Sequence, residues 1–403
     1  MLVALLHGLV LGAQAPAGDG LERTIVARIE ARRAELIELR RDLHRHPELS
    51  GEEVRTAQVV AERMTALGFE VRTGVGGHGV VARLAGGRPG PVVAFRADMD
   101  AVRSQDPDPV EFRSVVPGVR HICGHDLHTT IGVALAEGFA AARAELPGTL
   151  LLLFQPAEEI GRGAQAMLAD GALDGAAPAA VFALHAAPLE VGTLATAEGV
   201  LMAGRDRIAV EVRGPEAEEL AQALAAELRP LGTLSQAQAF GSVALEEVFL
   251  DLRAERVAAE HWRVLAQASS GSRAARAEVR QAVEALVADL GRPGTTLALD
   301  YTPRFLPGVE NDPARVQAAV ARLRAELGDE RVQLLTEVVP VFSEDFGWFL
   351  DRAPGAMLFL GVANAARGLG GMPHSPDFVA DEEALLAGAR AMTWVLLDAL
   401  GTP

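Results

Sequence analysis

The stretch Val92-Val93-Ala94-Phe95-Arg96-Ala97-Asp98-Met99-Asp100 decides the fold. Its apolar part has no polar alternation, so Val92–Ala97 reads as a strand buried on both faces, as in a helix-covered, largely parallel sheet. In open sheets of that kind functional groups collect at the carboxyl ends of the strands, and this strand runs into two carboxylates. The pattern recurs. Strand Thr149–Phe154 runs into Gln155-Pro156-Ala157-Glu158-Glu159, and strand Ala180–Leu184 ends at His185. Between them in sequence lies His121-Ile122-Cys123-Gly124-His125-Asp126-Leu127-His128, and after strand Ala356–Val362 comes His374-Ser375-Pro376. Five of the ten histidines, the single cysteine and two carboxylate pairs are therefore expected at one edge of the sheet.

The flanking elements agree with that core. A helix is expected from about Leu21 to His44, with Ile25, Ile29, Leu36, Leu39 and Leu43 on one stripe. Ser50 followed three residues later by Glu53 reads as a capping box opening a helix that stops near Gly68. Strands follow at Glu70–Val75 and Val80–Leu84, and helices at His125–Ala142 and Gly163–Leu168. From about Arg205 the style changes: a half-exposed strand at Arg207–Val212, a helix at Glu216–Leu228, a strand at Glu247–Arg253, a helix at Ala274–Leu290 and a strand at Thr295–Tyr301. The α/β style resumes with helix Pro313–Leu327, strand Arg331–Glu337 and the closing helix Glu382–Leu400. The expected architecture is a discontinuous α/β domain, residues 18–203 and 300–403, interrupted at 204–299 by a smaller α+β open sandwich.

Composition removes several functions. All 37 basic residues are arginine, so lysine Schiff bases, pyridoxal-phosphate lysines and P-loop lysines are excluded; codon bias accounts for the missing lysine. A net charge of −17 with 4% aromatic residues argues against nucleic acid. One cysteine, Cys123, excludes an intrachain disulfide. Residues 1–17, apolar from Met1 to Val10 except His7 and followed by Ala13-Gln14-Ala15, resemble a signal peptide, but no arginine precedes the apolar run. Cytoplasmic and exported locations are thus equally weighted. No later stretch is long and uncharged enough to span a bilayer, so a soluble mature protein without membrane partners is expected.

Cysteine, histidine and carboxylate together suit a borderline divalent ion such as Zn²⁺, Mn²⁺, Co²⁺ or Ni²⁺ rather than Mg²⁺ or Ca²⁺. Cys123 and His125, two residues apart, can face a common ion from an extended loop. The side chains of Glu158 and Glu159 diverge, so one is free to bind metal while the other handles a proton. A structural zinc knuckle is the rival, but it prefers two or more cysteines.

These residues carry a family resemblance. His44-Arg45-His46-Pro47-Glu48-Leu49-Ser50, Arg96-Ala97-Asp98-Met99-Asp100-Ala101, Cys123–Thr129 and Gln155–Glu159 resemble the M20 metallopeptidases, in particular their amidohydrolase branch, subfamily D. That branch includes hippurate, N-acyl-amino-acid and indoleacetyl-amino-acid hydrolases. Ser343-Glu344-Asp345-Phe346 and His374-Ser375-Pro376 match its C-terminal motifs. The resemblance implies a two-metal amidohydrolase acting on a small N-acyl amino acid or dipeptide-like amide. Its ligands would be Cys123, His125, Glu159, His185 and His374, its general base Glu158, and its ligand-orienting residue Asp100. Asp98 stands where related branches carry a liganding histidine. His44, His46 and His121 are read as structural, and His128 as bonded locally. Glu344 and Asp345 are candidates to line the site, with helix capping as the alternative. Arg205 or Arg207 is a candidate for the substrate carboxylate, with a solvated lid arginine as the favoured alternative.

The inserted domain, a lid in this family, departs from the pattern. The first lid strand normally leads to a Gly-Gly-His-Ala type loop whose histidine stabilises the oxyanion, often across a dimer. Here Arg207–Arg213 leads to Gly214-Pro215-Glu216, and the lid's one histidine is His261. The departure weighs against a lid-built homodimer and raises an alternative, a catalytically impaired metal-binding protein that senses or carries a ligand.

Overall fold

The decisive strand extends from Arg88 to Asp98 and lies inside an eight-stranded sheet. The structure, a computed structural model, describes residues 20–401, so the signal-peptide reading of 1–17 falls outside the described residues. From one edge the order is Glu70–Val75, Gly79–Ala85, Pro147–Gln155, Arg88–Asp98, Ala180–Glu190, Gly355–Ala363, Leu194–Thr196 and Val332–Leu334. The four central strands pair in parallel. Alternate residues of each strand enter different cores. Val93, Phe95, Leu150 and Leu152 pack under the helices Gly20–Ala31, Arg33–Arg45, Val54–Ala66, His125–Ala141, Pro313–Leu327 and Glu383–Ala399. Ala94, Leu151, Leu153 and Val181 face Met167, Phe346 and Phe349 on the other side. Two-sided burial is the reason these strands lack polar alternation.

The inserted domain is an antiparallel four-stranded sheet ordered Phe249–Ala258, His261–Ser270, Gly204–Arg213, Thr296–Leu306. Ile208, Val210, Val212, Val264 and Ala266 pack under helices Ala217–Leu228 and Arg273–Asp289. Strand Thr296–Leu306 pairs with Gly204–Arg213 from Thr296 to Thr302 and, past an irregularity, again at Leu306, so the boundary drawn at 299/300 falls inside it. Two strands cross between the domains side by side. Met202 pairs with Val309 below the junction, and Arg205 pairs with Leu306 above it.

Four expectations are corrected. The single helix from Leu21 to His44 is two helices, broken where Arg32 (φ −98°, ψ 5°) and Arg28 both turn to Glu137. The capping box does not form: Glu53 is the N-cap residue of Val54–Ala66 without a side-chain cap bond, and the Ser50 hydroxyl donates to Asp100 instead. Strand Arg331–Glu337 shrinks to Val332–Leu334 because its partner Leu194–Thr196 is equally short. His185 does not end its strand, which continues to Glu190 by pairing with Gly355–Ala363. The lid strand His261–Ser270, with Val264, Ala266 and Ala268 inward, was not expected from the sequence.

The start of strand Pro147–Gln155 is a close approach of two backbones. Gly148 has φ +71°, and a Cβ there would lie 2.0 Å from the carbonyl oxygen of Pro91. Gly148→Ala is expected to lower stability by about 1–3 kcal/mol, from overpacking and left-handed strain together. Urea unfolding checks this: the midpoint should fall with the slope unchanged, and an unchanged midpoint would contradict the close approach.

Candidate metal centre

Strand ends and one helix start deliver the polar residues to a common point. Gly124, with φ +88°, turns the chain directly before helix His125–Ala141, so Cys123 lies in the loop and His125 on the first helical turn. Ala157, with φ +54°, turns the chain after strand Pro147–Gln155 and presents Glu158 and Glu159. His374, with φ +69°, hangs from a loop whose backbone N–H donates to Ile122 O at 2.7 Å. The loops bearing Cys123 and His374 are thereby tied to each other.

Five trios of potential donors result among the described residues, three of them, Asp98/His125/His128, His125/Glu158/Glu159 and Glu158/Glu344/Asp345, without the cysteine and two with it. The ligand atoms of Cys123, His125 and His185 lie within 4.8 Å of one another, and so do those of Cys123, Glu159 and His374. Cys123 belongs to both, and together they contain the five residues named as ligands by resemblance. Closer contacts are Cys123 Sγ to His185 Nε2 at 3.4 Å and His374 Nε2 to Glu159 Oε1 at 3.2 Å. Glu158 Oε2 stands 3.9 Å from His125 Nε2, beside the cluster.

Hydrogen bonds set the tautomers. The Nδ1–H of His185 donates to Ala186 O at 2.8 Å, which leaves its Nε2 lone pair facing Cys123. Burial, followed by the nearby His128, lowers the His185 pKa to about 4, so the ring is the neutral, metal-ready form. His128, expected to bond locally, instead joins distant strands: it accepts from Ala186 N at Nε2 and therefore donates from Nδ1 to Asp98 at 2.7 Å. His125 turns Nδ1 toward Asp100 Oδ1 at 3.3 Å and Nε2 toward Glu159 Oε1 at 3.7 Å. That is the carboxylate–histidine arrangement that orients metal ligands.

The charges ask for cations. Both ring nitrogens of His125 and Glu159 Oε1 are buried without a hydrogen-bond partner, although such atoms are normally satisfied. Burial, then Glu344, Glu159 and Asp345, pushes Glu158 well above the usual carboxylate range. Burial and the same glutamates Glu159 and Glu158 push the Cys123 thiol up as well. Against the desolvation of a wholly buried ring, Asp98, Asp100 and Glu159 raise the His125 pKa to about 10. A bound divalent cation would reverse each of these pressures. The donor set and its unpartnered atoms fit such an ion.

Arg96 organises the acidic floor. Its guanidinium is fully buried and donates to Gln155 Oε1 at 2.8 Å, Asp98 Oδ2 at 2.5 Å and Glu344 Oε1 at 2.8 Å, with Asp345 Oδ1 at 3.4 Å. Glu344 also accepts from Phe346 N, and Asp345 from Ala164 N at the start of helix Gly163–Ala169. Asp345 therefore does cap a helix, one distant in sequence. Local sequence patterns gave no hint of this use of Arg96 and Gln155.

The remaining candidates lie apart. Arg205 donates to Ser269 Oγ and to Val341 O, and Arg207 lies near Thr302 and Asp300 on the lid sheet, over the ring of Phe305. His261 is held by Glu211. His44 sits between Asp108 and Asp126, 3.0 Å from each, and His46 reaches Asp42 O.

Cysteine, histidines and carboxylates gathered at the strand ends of an α/β sheet, with an inserted lid, describe the class of metal-type hydrolases. The sequence profile of peptidase family M20/M25/M40 matches residues 94–398, and the chain belongs to that family. It is 32% identical to the N-acetylcysteine deacetylase of Bacillus subtilis, over 88% of this chain and 94% of that protein. It is also 32% identical to an IAA-amino acid hydrolase of Arabidopsis thaliana, over 91% and 88%. A crystal structure of a dinuclear metal-binding M20 peptidase from Bacillus subtilis superposes with a TM-score of 0.76 at 31% identity, covering 93% of this chain and 99% of that one. The protein is a hydrolase of amide bonds. No helix among the described residues is long and apolar enough to cross a membrane.

Arg96→Met should leave Asp98, Glu344 and Asp345 buried without their cation, a change that typically costs about 3–5 kcal/mol. Chemical unfolding of the metal-free protein measures it; a loss below about 1 kcal/mol, the range of exposed ion pairs, would show that the guanidinium is not needed there.

Proposed function

We propose that this chain is a metal-dependent amidohydrolase that cleaves an N-acyl amino acid or a dipeptide-like amide. The observation carrying the reading is the pair of donor trios sharing Cys123, with Glu158 beside them. Cys123, His125, Glu159, His185 and His374 would hold two divalent transition-metal ions, of the Zn²⁺, Mn²⁺, Co²⁺ or Ni²⁺ kind. Bound ions supply Lewis acidity for the scissile carbonyl and acidify water. Glu158 takes the proton from the attacking water and returns it to the leaving amine. Burial among other carboxylates pushes Glu158 toward its protonated form, and bound cations beside it would restore the carboxylate that the first step requires. Asp100 Oδ1 stands 3.3 Å from His125 Nδ1, placed to orient that ring once it binds an ion, while its second oxygen accepts from Ser50 and from Glu159 N. The N-acyl amino acid class is supported by the deacetylase and the IAA-amino acid hydrolase among the relatives. Arg207 keeps lid partners and Arg205 bridges Ser269 of the lid to Val341 O of the catalytic domain, and no contact with substrate is assigned to either.

One observation favours a second reading. The lid has no histidine after its first strand, and His261 is engaged by Glu211. Losing an oxyanion donor costs on the order of 10²–10³ in rate. A metal-binding protein without turnover would have this lid.

Both readings meet one assay. Protein stripped by a chelator and reloaded with Mn²⁺, Zn²⁺ or Co²⁺ is given N-acyl amino acids and dipeptides. Hydrolysis that disappears on stripping and returns on reloading is expected; stoichiometric metal without hydrolysis would favour the carrier. Glu158→Gln should reduce kcat by about 10²–10⁴ while bound metal stays constant, and a surviving rate would reject Glu158 as the base.

A further inference from the structure

The residues read from sequence as a capping box do something else. Glu53 is fully buried, and its Oε1 accepts from Gly51 N and from Ala157 N, both at 2.8 Å. Ala157 is the residue whose left-handed backbone turns the chain into Glu158 and Glu159. An L-residue there gives up about 1–2 kcal/mol relative to its right-handed alternatives, so the turn needs external ties. Two carboxylates supply them. Glu53 takes the N–H that opens the turn, and Asp100 takes the N–H of Glu159 at 3.0 Å.

Both ties start from the same short segment. Ser50 donates to Asp100 at 2.6 Å, Glu48 O accepts from Ala101 N at 2.8 Å, and Leu49 bridges Ala101. The Glu48 carboxylate meanwhile accepts from Arg55 N and Thr56 N, which anchors the segment to the first turn of helix Val54–Ala66. Residues 48–53 thus join the Asp98–Ala101 turn to the Ala157–Glu159 turn.

We infer that Glu53 is a positioning residue of this active site, one that fixes Glu158 and Glu159 by holding the amide of Ala157. It touches neither of those side chains and acts through the backbone. Burial raises its pKa, and its Oε2 has no hydrogen-bond partner, so one oxygen alone performs the task. The function depends on the reach of an acceptor rather than on a negative charge.

That distinction is the test, and it rests on the reading of Glu158 and Glu159 given under the proposed function. Glu53→Gln keeps a side-chain carbonyl at the same reach, whereas Glu53→Asp keeps the charge and falls one methylene short. Each variant is measured for kcat, KM, Mn²⁺ affinity by chelator competition, and hydrogen exchange of the peptide covering residues 155–163. Glu53→Asp is expected to lose about 10–100-fold in kcat and in metal affinity, the usual effect of losing a residue behind a ligand. KM should change little, and exchange should rise in that peptide, with any further rise confined to the peptide holding Gly51, whose N–H the same oxygen accepts. Glu53→Gln should stay within a few-fold of the wild type on every measure. A wild-type kcat and metal affinity in Glu53→Asp overturns the inference, and so does a Glu53→Gln variant impaired as far as Glu53→Asp. If Glu53→Asp does not fold, Glu53→Gln decides alone: retention supports the inference and a comparable loss of kcat and metal affinity overturns it. Glu158→Gln, run in parallel, separates the two claims. Undiminished turnover there defeats the parent reading, while exchange and metal affinity still report on the tie from Glu53 to Ala157.

Discussion

One buried guanidinium sets the terms for the rest of the centre. Arg96 sits on a central strand with no exposure to solvent, and four residues from three segments send it an oxygen: Asp98 of its own strand, Gln155, and the adjacent Glu344 and Asp345. A charge so deep in the protein is tolerable only when fully paired, so those segments must converge for the protein to fold at all. The convergence brings together the ends of strands Arg88–Asp98 and Pro147–Gln155 and the loop before Phe346. The planar, forked geometry of arginine suits this work, since one head group serves several carboxylate and amide oxygens at fixed angles. In a chain without lysine, this role falls to the side chain best shaped for it.

Negative charge remains in excess after Arg96 is satisfied. Glu158, Glu159 and Asp100 gather with three histidines and the thiol, and burial pushes the pKa values of Glu158 and Cys123 up. The same excess that strains the bare site would favour cations entering it, since ligand deprotonation and ion binding are one linked equilibrium. The overall charge of −17 extends this preference outward: it repels anionic substrates at long range and attracts metal ions.

Much of this was legible in the sequence, and the boundary of legibility has a physical cause. Unbroken apolar runs such as Val92–Phe95 declare two-sided burial, and residues directly after them must lie at a sheet edge, so Asp100, Glu158 and Glu159 could be placed from local pattern. Cys123 and His125 share one loop-to-helix turn and travel together. What stayed hidden were bonds between distant segments. Ser50 and Glu53 have the spacing of a capping box, but two buried backbone and side-chain groups, Ala157 N and Asp100, compete for them and win. The lid strand His261–Ser270 alternates in its middle, yet Leu265 on the outer face and the buried Ser269 and Ser270 at its end blur the pattern. The break at Arg32 depends on Glu137 of another helix, which no window around residue 32 contains.

The paired crossing between the domains carries information as well as covalent connection. Met202 opposite Val309 and Arg205 opposite Leu306 flank one paired crossing, beyond which Gly204–Arg213 becomes an inner strand of the lid sheet and Thr296–Leu306 its edge. Side chains alternate faces along a strand, so a slip of one residue in this crossing would turn the lid inside out, exchanging its helix-packed face for its bare one. The catalytic domain therefore dictates, through backbone register alone, which face the lid can show to its surroundings.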